Sequence, residues 1–375
     1  MNAERLTIAS SAPAEGLDRL VAFGWGEPFA AAFHAQAALG RLAGRVVVED
    51  RGRYLVETSA GELSATVSGR FRFEAGADPA GYPAVGDWVA LDRRDDDGAI
   101  IHAVLPRRTA IIRRDPGLRT AAQVLAANVD VGLVVTSLNR DFNLRRLERY
   151  LAVVWDSGAE PVVVLSKADL AEDVAGFRAA AEAVAPGVPV LAVSAVDGRG
   201  MADVHSWCAP RTTVVAIGSS GVGKSTLVNA LAGRQLQPVS AIRLDDDRGR
   251  HTTRRRHLLR LPDGALVLDT PGMRELAPWD ADGLAASFAD VEAAAANCRF
   301  ADCRHEGEPG CAVTAAIVSG ELDAARLEAH RKLAREAAHL ERRQDALARI
   351  EERSRWKVIH KSVRRQMKDR YGEAP

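Results

Sequence analysis

Cysteine is scarce in this sequence, with four in 375 residues. Cys208 stands alone while Cys298, Cys303 and Cys311 crowd together, a distribution that excludes a disulfide framework and points to a reducing compartment. Net charge is missing too. Fifty Lys and Arg balance 50 Asp and Glu, so global electrostatics announce no nucleic-acid partner, and any basic surface must be local. No apolar run reaches membrane-spanning length, and the polar opening, with Glu4, Arg5 and Glu15, lacks a signal-peptide core. A cytoplasmic protein with no membrane partner is expected. With 47 % apolar side chains, the chain is long enough for two or three domains with sizeable cores.

What is present centres on Gly218-Ser219-Ser220-Gly221-Val222-Gly223-Lys224-Ser225, which fits the phosphate-loop pattern G-x-x-x-x-G-K-[ST]. Thr213 to Ile217 reads as a short buried strand before it, and Thr226 to Leu231 as the first turns of a helix after it. Such a loop turns successive backbone N–H groups inward at an anion, and the helix N-terminus adds partial positive charge. Lys224 can reach the outer phosphates and the Ser225 hydroxyl can ligate Mg²⁺. Thr226 follows in the same first turn.

Upstream, residues 1–43 read as an extension, with a short Ala-rich helix within Glu27 to Leu39 and disorder in the opening dozen residues. Residues 44–114 hold five short β-prone runs (Val46–Val48, Tyr54–Thr58, Leu63–Val67, Trp88–Leu91 and Ile100–Val104) separated by turn residues. This is the pattern of a small barrel such as an OB-fold. Arg70, Arg72, Arg93, Arg94, Arg107 and Arg108 decorate it; they suit a nucleic-acid-binding face or an ordinary solvated surface equally.

From 115 to 285, apolar strands alternate with helical periodicity, which predicts an α/β domain with a parallel sheet and ligand loops at the strand C-termini. One such strand, Pro161 to Leu165, runs into Ser166-Lys167-Ala168-Asp169. The Asp169 carboxylate can accept two hydrogen bonds from the ring N–H and exocyclic amine of guanine, a donor pair that adenine lacks, so it selects GTP over ATP. Lys167 can lay its stem along the base, and Ser194 and Ala195 support the base from the other side. After the phosphate loop, the polar stretch Gln235 to Arg256 suits a switch and carries His251, Thr252 and Thr253. Asp269 ends an apolar strand where a Mg²⁺-directed carboxylate belongs, and Gly272 offers its N–H to the terminal phosphate. Thr252 and Thr253 both qualify as the switch hydroxyl on Mg²⁺; Thr253 is taken with Ser225 as ligand and Thr252 as a nucleotide contact. Lys224, Asp269, His251 and Thr253 are the catalytic candidates. The base-reading loops precede the phosphate loop, the reverse of the ordinary order. A circular permutation produces this without moving any group in space, because domain termini often lie close together.

Residues 286–375 bring Cys298-x4-Cys303-x-His305-x5-Cys311, three thiolates and one imidazole within fourteen residues. Four such ligands with no open position describe a structural Zn²⁺ site. A helical tail follows. Its residues 331–375 hold fourteen Lys and Arg against seven Asp and Glu, about +7 in a neutral chain. Such a helix can meet RNA phosphates or simply be a solvated face.

These pieces together resemble the circularly permuted, ribosome small-subunit-dependent GTPases (RsgA/YjeQ) over about residues 44 to 375. The likeness rests on Gly86-Asp87-Trp88-Val89, the Pro106-Arg107-Arg108 exit from the barrel, the permuted motifs, Gly249-Arg250-His251-Thr252-Thr253 and the cysteine-histidine cluster. It implies an OB-fold barrel, a permuted phosphate-loop GTPase domain and a zinc-binding helical domain. It also implies GTP hydrolysis stimulated by the small (30S) ribosomal subunit, a role in that subunit's late maturation, and contact with 16S rRNA, the chain working as a monomer. Ser166 departs from the family's usual Asn, and losing the amide is expected to remove a tether between the base-reading and phosphate loops. Met273 follows D-x-x-G where many GTPases place a water-orienting Gln, so His251 is assigned that role once the ribosome orders the switch. The alternative is an RNA-binding scaffold that holds GTP without turnover; the intact switch residues argue against it.

Overall fold

In a computed structural model that describes residues 14–76, 78–94, 98–114, 122–233, 256–269, 287–335 and 338, the five β-prone runs become β1 (Leu42–Asp50), β2 (Arg53–Thr58), β3 (Gly61–Val67), β4 (Trp88–Arg93) and β5 (Gly98–Val104). They pair in the order β1-β2-β3-β5-β4, and β4 returns to β1. β3 and β5 run parallel and the other pairs antiparallel. This is the closed OB-type barrel that the spacing predicts. Val46, Val56, Leu63, Ala65, Leu91 and Ile101 fill its interior, alternate residues on each strand pointing inward. Two helices close one end: α1 (Ala14–Ala22) and α2 (Glu27–Ala37). Between them and on α2, Trp25, Phe29 and Phe33 gather around the fully buried Trp88, with Trp25 and Phe29 ring centroids 4.7 and 5.6 Å from it. The extension, from which periodicity yields only the second helix, is therefore part of the barrel's core. The opening dozen residues lie outside those described. Helix α3 (Gly69–Ala75), capped by Ser68, crosses from β3 toward β4.

The antiparallel pair β6 (Ala110–Arg114) and β7 (Ala122–Ala127) leads into the second half. There β8 (Val131–Ser137), β9 (Glu160–Ser166), β10 (Val190–Ala192), β11 (Thr213–Ile217), β12 (Arg256–Arg260) and β13 (Leu266–Asp269) assemble in the order β10-β9-β8-β11-β13-β12. The first five are parallel and β12 is antiparallel. The intervening helices are α4 (Leu144–Asp156), α5 (Val174–Val184), α6 (Met201–Trp207) and α7 (Lys224–Ala232). α4 and α5 pack with Val134, Val163 and Leu165 on one face. α6 and α7 pack with Leu133, Val135 and Val164 on the other. Both faces are covered, which is why these strands read as unbroken apolar runs rather than alternating ones. Each fully buried Val or Leu contributes about 1.5–3 kcal/mol.

The two halves are one sheet. β12 pairs antiparallel with β1, Val48 opposite His257 and Glu49 opposite Arg256, so the barrel and the α/β sheet share an eleven-stranded ladder. Arg45 reinforces the join. Its guanidinium is 2 % exposed and donates to the carbonyls of Gly86 (3.1 Å), Asn128 (3.1 Å) and Phe23 and to the Thr213 hydroxyl (2.9 Å). Burial lowers it to about 10, which leaves it charged at neutral pH. Gly86 has φ +94°, and a Cβ there would sit 2.1 Å from the Ala127 carbonyl oxygen, so the barrel approaches β7 too closely for a side chain. Asp87 beside it is fully buried and accepts from two of the three Arg107 nitrogens, Nη2 at 2.7 Å and Nε at 2.8 Å. The Gly86-Asp87 and Pro106-Arg107 motifs therefore serve the joint.

After residue 286 come α8 (Ala289–Ala295), α9 (Ala312–Ser319) and a helix over 324–335, α10, around Phe288, Val291, Val313 and Leu327. This module docks on the back of the α/β half through Arg326. That side chain donates to Glu148 of α4 (3.0 Å), the Val184 carbonyl (3.1 Å), the Ser287 carbonyl (2.7 Å) and Asp290 (2.8 Å), and lies 4.7 Å over the Phe288 ring. The basic tail beyond this helix lies outside the described residues. Among the described residues no helix is long and apolar enough to cross a membrane.

Arg45→Met leaves several buried acceptors unpaired and should cost about 3–5 kcal/mol in urea unfolding. Arg45→Lys, which cannot spread donors over four acceptors, should recover only part of it.

Candidate functional site

The phosphate loop is set by the strand before it and the helix after it. β11 lies between β8 and β13 in the middle of the parallel order, and its C-terminal end delivers residues 218–223 to the N-terminus of α7. At Gly218 a Cβ would meet the Val135 carbonyl oxygen at 2.3 Å, so no side chain fits. Val222 is buried among Leu227, Val228 and Val135 and pins the loop to the core. The Lys224 ammonium donates to the carbonyls of Gly218 (2.8 Å) and Ser219 (2.6 Å), which holds it over the loop. Ser225 and Thr226 occupy the first turn of α7, partly exposed.

The base-reading loops meet this cradle directly. β9 ends at Ser166, whose hydroxyl donates to the Val222 carbonyl at 2.5 Å. The expected loss of the tether is therefore overturned. The strand end and the loop come close enough, with a Cβ on Gly223 falling 3.8 Å from the Ser166 oxygen, that a hydroxyl spans the gap an amide would otherwise bridge. Lys167 takes a left-handed conformation (φ +60°) that aims its ammonium at the Gly221 carbonyl, 2.7 Å away. Lys167 and Lys224 are the only lysines before Lys332 in an arginine-rich chain, and both are bonded to the phosphate loop. Asp169 lies exposed in the 3₁₀ turn Ala168–Leu170. That turn is joined to the second base loop by Ala168 N–H on the Val193 carbonyl (3.0 Å). Ser194 is fully buried and its hydroxyl accepts from Val196 and Asp197 N–H, shaping the turn that carries Ala195.

Asp269 ends β13, opposite His257 and in the strand next to β11. Gly272, His251, Thr252 and Thr253 lie outside the described residues.

One participant escaped the motif reading. Asp141, in the loop after β8, accepts from the Ser219 hydroxyl (2.9 Å) and pairs with Arg146 of α4 (2.9 Å). The rule that loops at parallel-strand C-termini converge on the ligand would have flagged it.

Cys298, Cys303, His305 and Cys311 converge, with their ligand atoms all within 4.8 Å of one another. Cys298 and Cys311 sulfurs are 4.0 Å apart, and the His305 Nδ1 lies 3.6 and 3.5 Å from them. A tetrahedral ion with thiolate bonds of about 2.3 Å demands edges of about 3.8 Å between sulfurs and about 3.6 Å to nitrogen, so the four residues fit a metal. His305 adopts φ +61°, and Arg331 of α10 clamps its carbonyl at 2.7 Å. Burial raises the Cys311 thiol, but the Thr314 hydroxyl and N–H on its sulfur, together with His305 and Cys303, outweigh this and bring it down to about 6. Burial pushes the Cys303 thiol up to about 11, and the neighbouring Cys311 and Cys298 sulfurs add to the rise. Cys208 takes no part: it is buried under α6, and burial pushes its thiol up to about 12.

The model of the RsgA GTPase family matches residues 104–279. The chain is 47 % identical over 356 residues to the small ribosomal subunit biogenesis GTPase RsgA of Opitutus terrae, covering 92 % of this chain and 97 % of that one. It is 46 % identical over 342 residues to the protein of the same name from Streptomyces coelicolor, covering 90 % and 92 %. Among solved structures it is similar to YjeQ from Thermotoga maritima, with a TM-score of 0.60, 26 % identity and coverage of 80 % of this chain and 99 % of that one. It shares its fold with YloQ, a circularly permuted GTPase, at a TM-score of 0.57, 24 % identity and coverage of 80 % and 96 %.

Ser166→Ala removes the bond to the Val222 carbonyl and should weaken GDP binding by about 1 kcal/mol, roughly fivefold, measured by calorimetry. Ser166→Asn should preserve affinity.

Proposed function

The chain belongs to the RsgA GTPase family, and from that membership and the geometry of its loops we infer that it hydrolyses GTP to GDP and phosphate on the small ribosomal subunit, late in that subunit's maturation. The observation that carries this reading is the direct bonding of the base loop to the phosphate loop, Ser166 to Val222 and Lys167 to Gly221. One compact unit then holds both ends of the nucleotide, guanine against Asp169, Ser194 and Ala195, phosphates against residues 218–226.

In this reading the phosphoryl transfer is a matter of positioning and charge. The backbone N–H groups of the loop hold the β-phosphate, and Lys224 turns its ammonium to the β- and γ-oxygens. Ser225 and Thr253, with Asp269 behind them, would hold Mg²⁺, and the ion would supply neutralising charge to the phosphates. Thr252 and the Gly272 N–H contact the nucleotide, and His251 orients the attacking water. Met273 offers no hydrogen bond for that purpose, so turnover waits on the subunit to order the switch. The Cys3His cluster holds Zn²⁺ as a structural ion, since its four ligands leave no position for water. The basic tail and the barrel's arginines meet 16S rRNA, and the protein works in the cytoplasm as a monomer.

Purified small subunits titrated against the protein should raise GTP turnover well above the basal rate, and ATP should not compete. Absence of stimulation at saturating subunit would overturn the reading. His251→Ala should keep GTP affinity and lose most of the stimulated rate. Removal of the metal by a chelator should release one Zn²⁺ per chain and abolish protection of residues 287–335 in hydrogen exchange; intact protection would refute a structural role.

A further inference from the structure

The loop from β8 to α4 is braced from both ends. The Asn139 side-chain oxygen accepts from the Ser137 hydroxyl and from Asp141 N–H, both at 2.9 Å. Leu138 N–H donates to the Ser166 carbonyl (2.9 Å), which ties the loop to the base-reading strand. Asn143 caps α4 by accepting from Arg146 N–H (2.9 Å), and the Phe142 ring meets Phe177 of α5 edge-on, with centroids 4.9 Å apart. A loop held in this way presents Asp141 in one place. One carboxylate oxygen pairs with Arg146 (2.9 Å), and the other accepts from the Ser219 hydroxyl (2.9 Å). The same Ser219 gives its backbone carbonyl to the Lys224 ammonium at 2.6 Å, beside the Gly218 carbonyl at 2.8 Å.

We propose that Asp141 is a positioning residue for phosphoryl transfer: by holding the Ser219 hydroxyl it sets the Ser219 carbonyl, and through that carbonyl it aims the Lys224 ammonium at the outer phosphates. The proposal rests on the reading of the protein as a GTPase and adds a residue to its machinery. An ammonium carries three donors in a tetrahedral array, so two bonds to fixed carbonyls fix the direction of the third. The aim of Lys224 is therefore only as good as the placement of those carbonyls. Gly218 is set by its close approach to the Val135 carbonyl, and Val222 by burial in the core. Ser219 is partly exposed, and its bond to Asp141 is what fixes it. A carboxylate suits the task because a bond to a charged acceptor is about twice as strong as one between neutral groups. Arg146 offsets the negative charge that would otherwise face a triphosphate. Closing the loop onto α4 needs only the oxygen that meets Arg146; the second oxygen reaches across to the cradle. Displacing a catalytic group by about 1 Å can cost 100-fold in rate, so a small tilt of the Ser219 peptide matters.

Three variants of the full chain test this. Asp141→Ala removes the acceptor, Asp141→Asn keeps an oxygen for the Ser219 hydroxyl, and Ser219→Ala removes the donor. GTP turnover is measured with and without small subunits, and the affinities for GTP, GDP and GMP by competition against a fluorescent GDP analogue. Asp141→Ala should lower kcat at saturating GTP roughly tenfold, the loss expected for one hydrogen bond to a charged group. It should weaken GTP and GDP by only roughly threefold, since Lys224 meets β- and γ-oxygens whose charge grows in the transition state. GMP ends at the α-phosphate, beyond the reach assigned to Lys224, and should bind as it does to the wild type. Asp141→Asn should recover most of kcat. Ser219→Ala should match Asp141→Ala, and the double variant should be no worse than either, because both remove one bond. A wild-type kcat in Asp141→Ala would overturn the proposal, as would an Asn variant as impaired as the Ala variant or additive losses in the double variant. So would equal losses of GMP and GDP binding, the mark of a loop that has only lost its shape. If the wild type turns over no GTP even with small subunits, the functional reading falls; the GDP-against-GMP comparison still decides whether Asp141 places Lys224.

Discussion

A single buried guanidinium holds the architecture together. Arg45 sits on β1, yet its four acceptors belong to the N-terminal helices (Phe23), the turn before β4 (Gly86), the end of the β6–β7 hairpin (Asn128) and the first residue of β11 (Thr213). A buried charge is tolerable only when its donors are matched, so these segments must all be in place at once. β11 is the strand that carries the phosphate loop, and Thr213 N–H is bonded in turn to Asp130 at the start of β8. The barrel and the nucleotide cradle are thereby fixed to each other from the strand's foot upward.

The second constraint is the β1–β12 pairing. A barrel normally removes its edges by closure, but here β1 also donates its outer end to a strand of the neighbouring domain. That strand follows the switch segment in sequence. Anything that binds the barrel near the β1–β2 turn and anything that binds the α/β half beside β12 therefore act on one hydrogen-bonded ladder. This is a physical route for coupling that needs no long-range relay, since both inputs bias the same few bonds.

The small module at the far side follows the same logic with other means. Its apolar core is small, and it adds a four-ligand cluster and the Arg326 network to hold shape and position. Arg326 reaches Glu148 on α4, and α4 begins with the loop in which Asp141 grips Ser219 of the phosphate loop. Helix α4 is thus bonded at one end to the nucleotide cradle and along its side to the metal module.

What could be read from residues alone was whatever is encoded locally. Gly218 to Ser225 carry their own conformational requirement, the spacing of Cys298, Cys303, His305 and Cys311 states its ligand set, and the alternation of apolar runs names the barrel and the parallel sheet. The order of the loops disclosed the permutation. Long-range proximity was not legible. Nothing near Ser166 in the chain says that Val222 lies one hydroxyl away, so the tether that the fold retains is invisible in the motif. Likewise Arg45, Asp141 and Arg326 look like ordinary polar residues until the partners 168, 78 and 178 residues distant are brought beside them. Motifs are set by backbone chemistry within a few residues, so they stand in the chain before it folds. Which buried donor meets which acceptor depends on how strands and helices pack, because such partners meet only once distant segments are brought together.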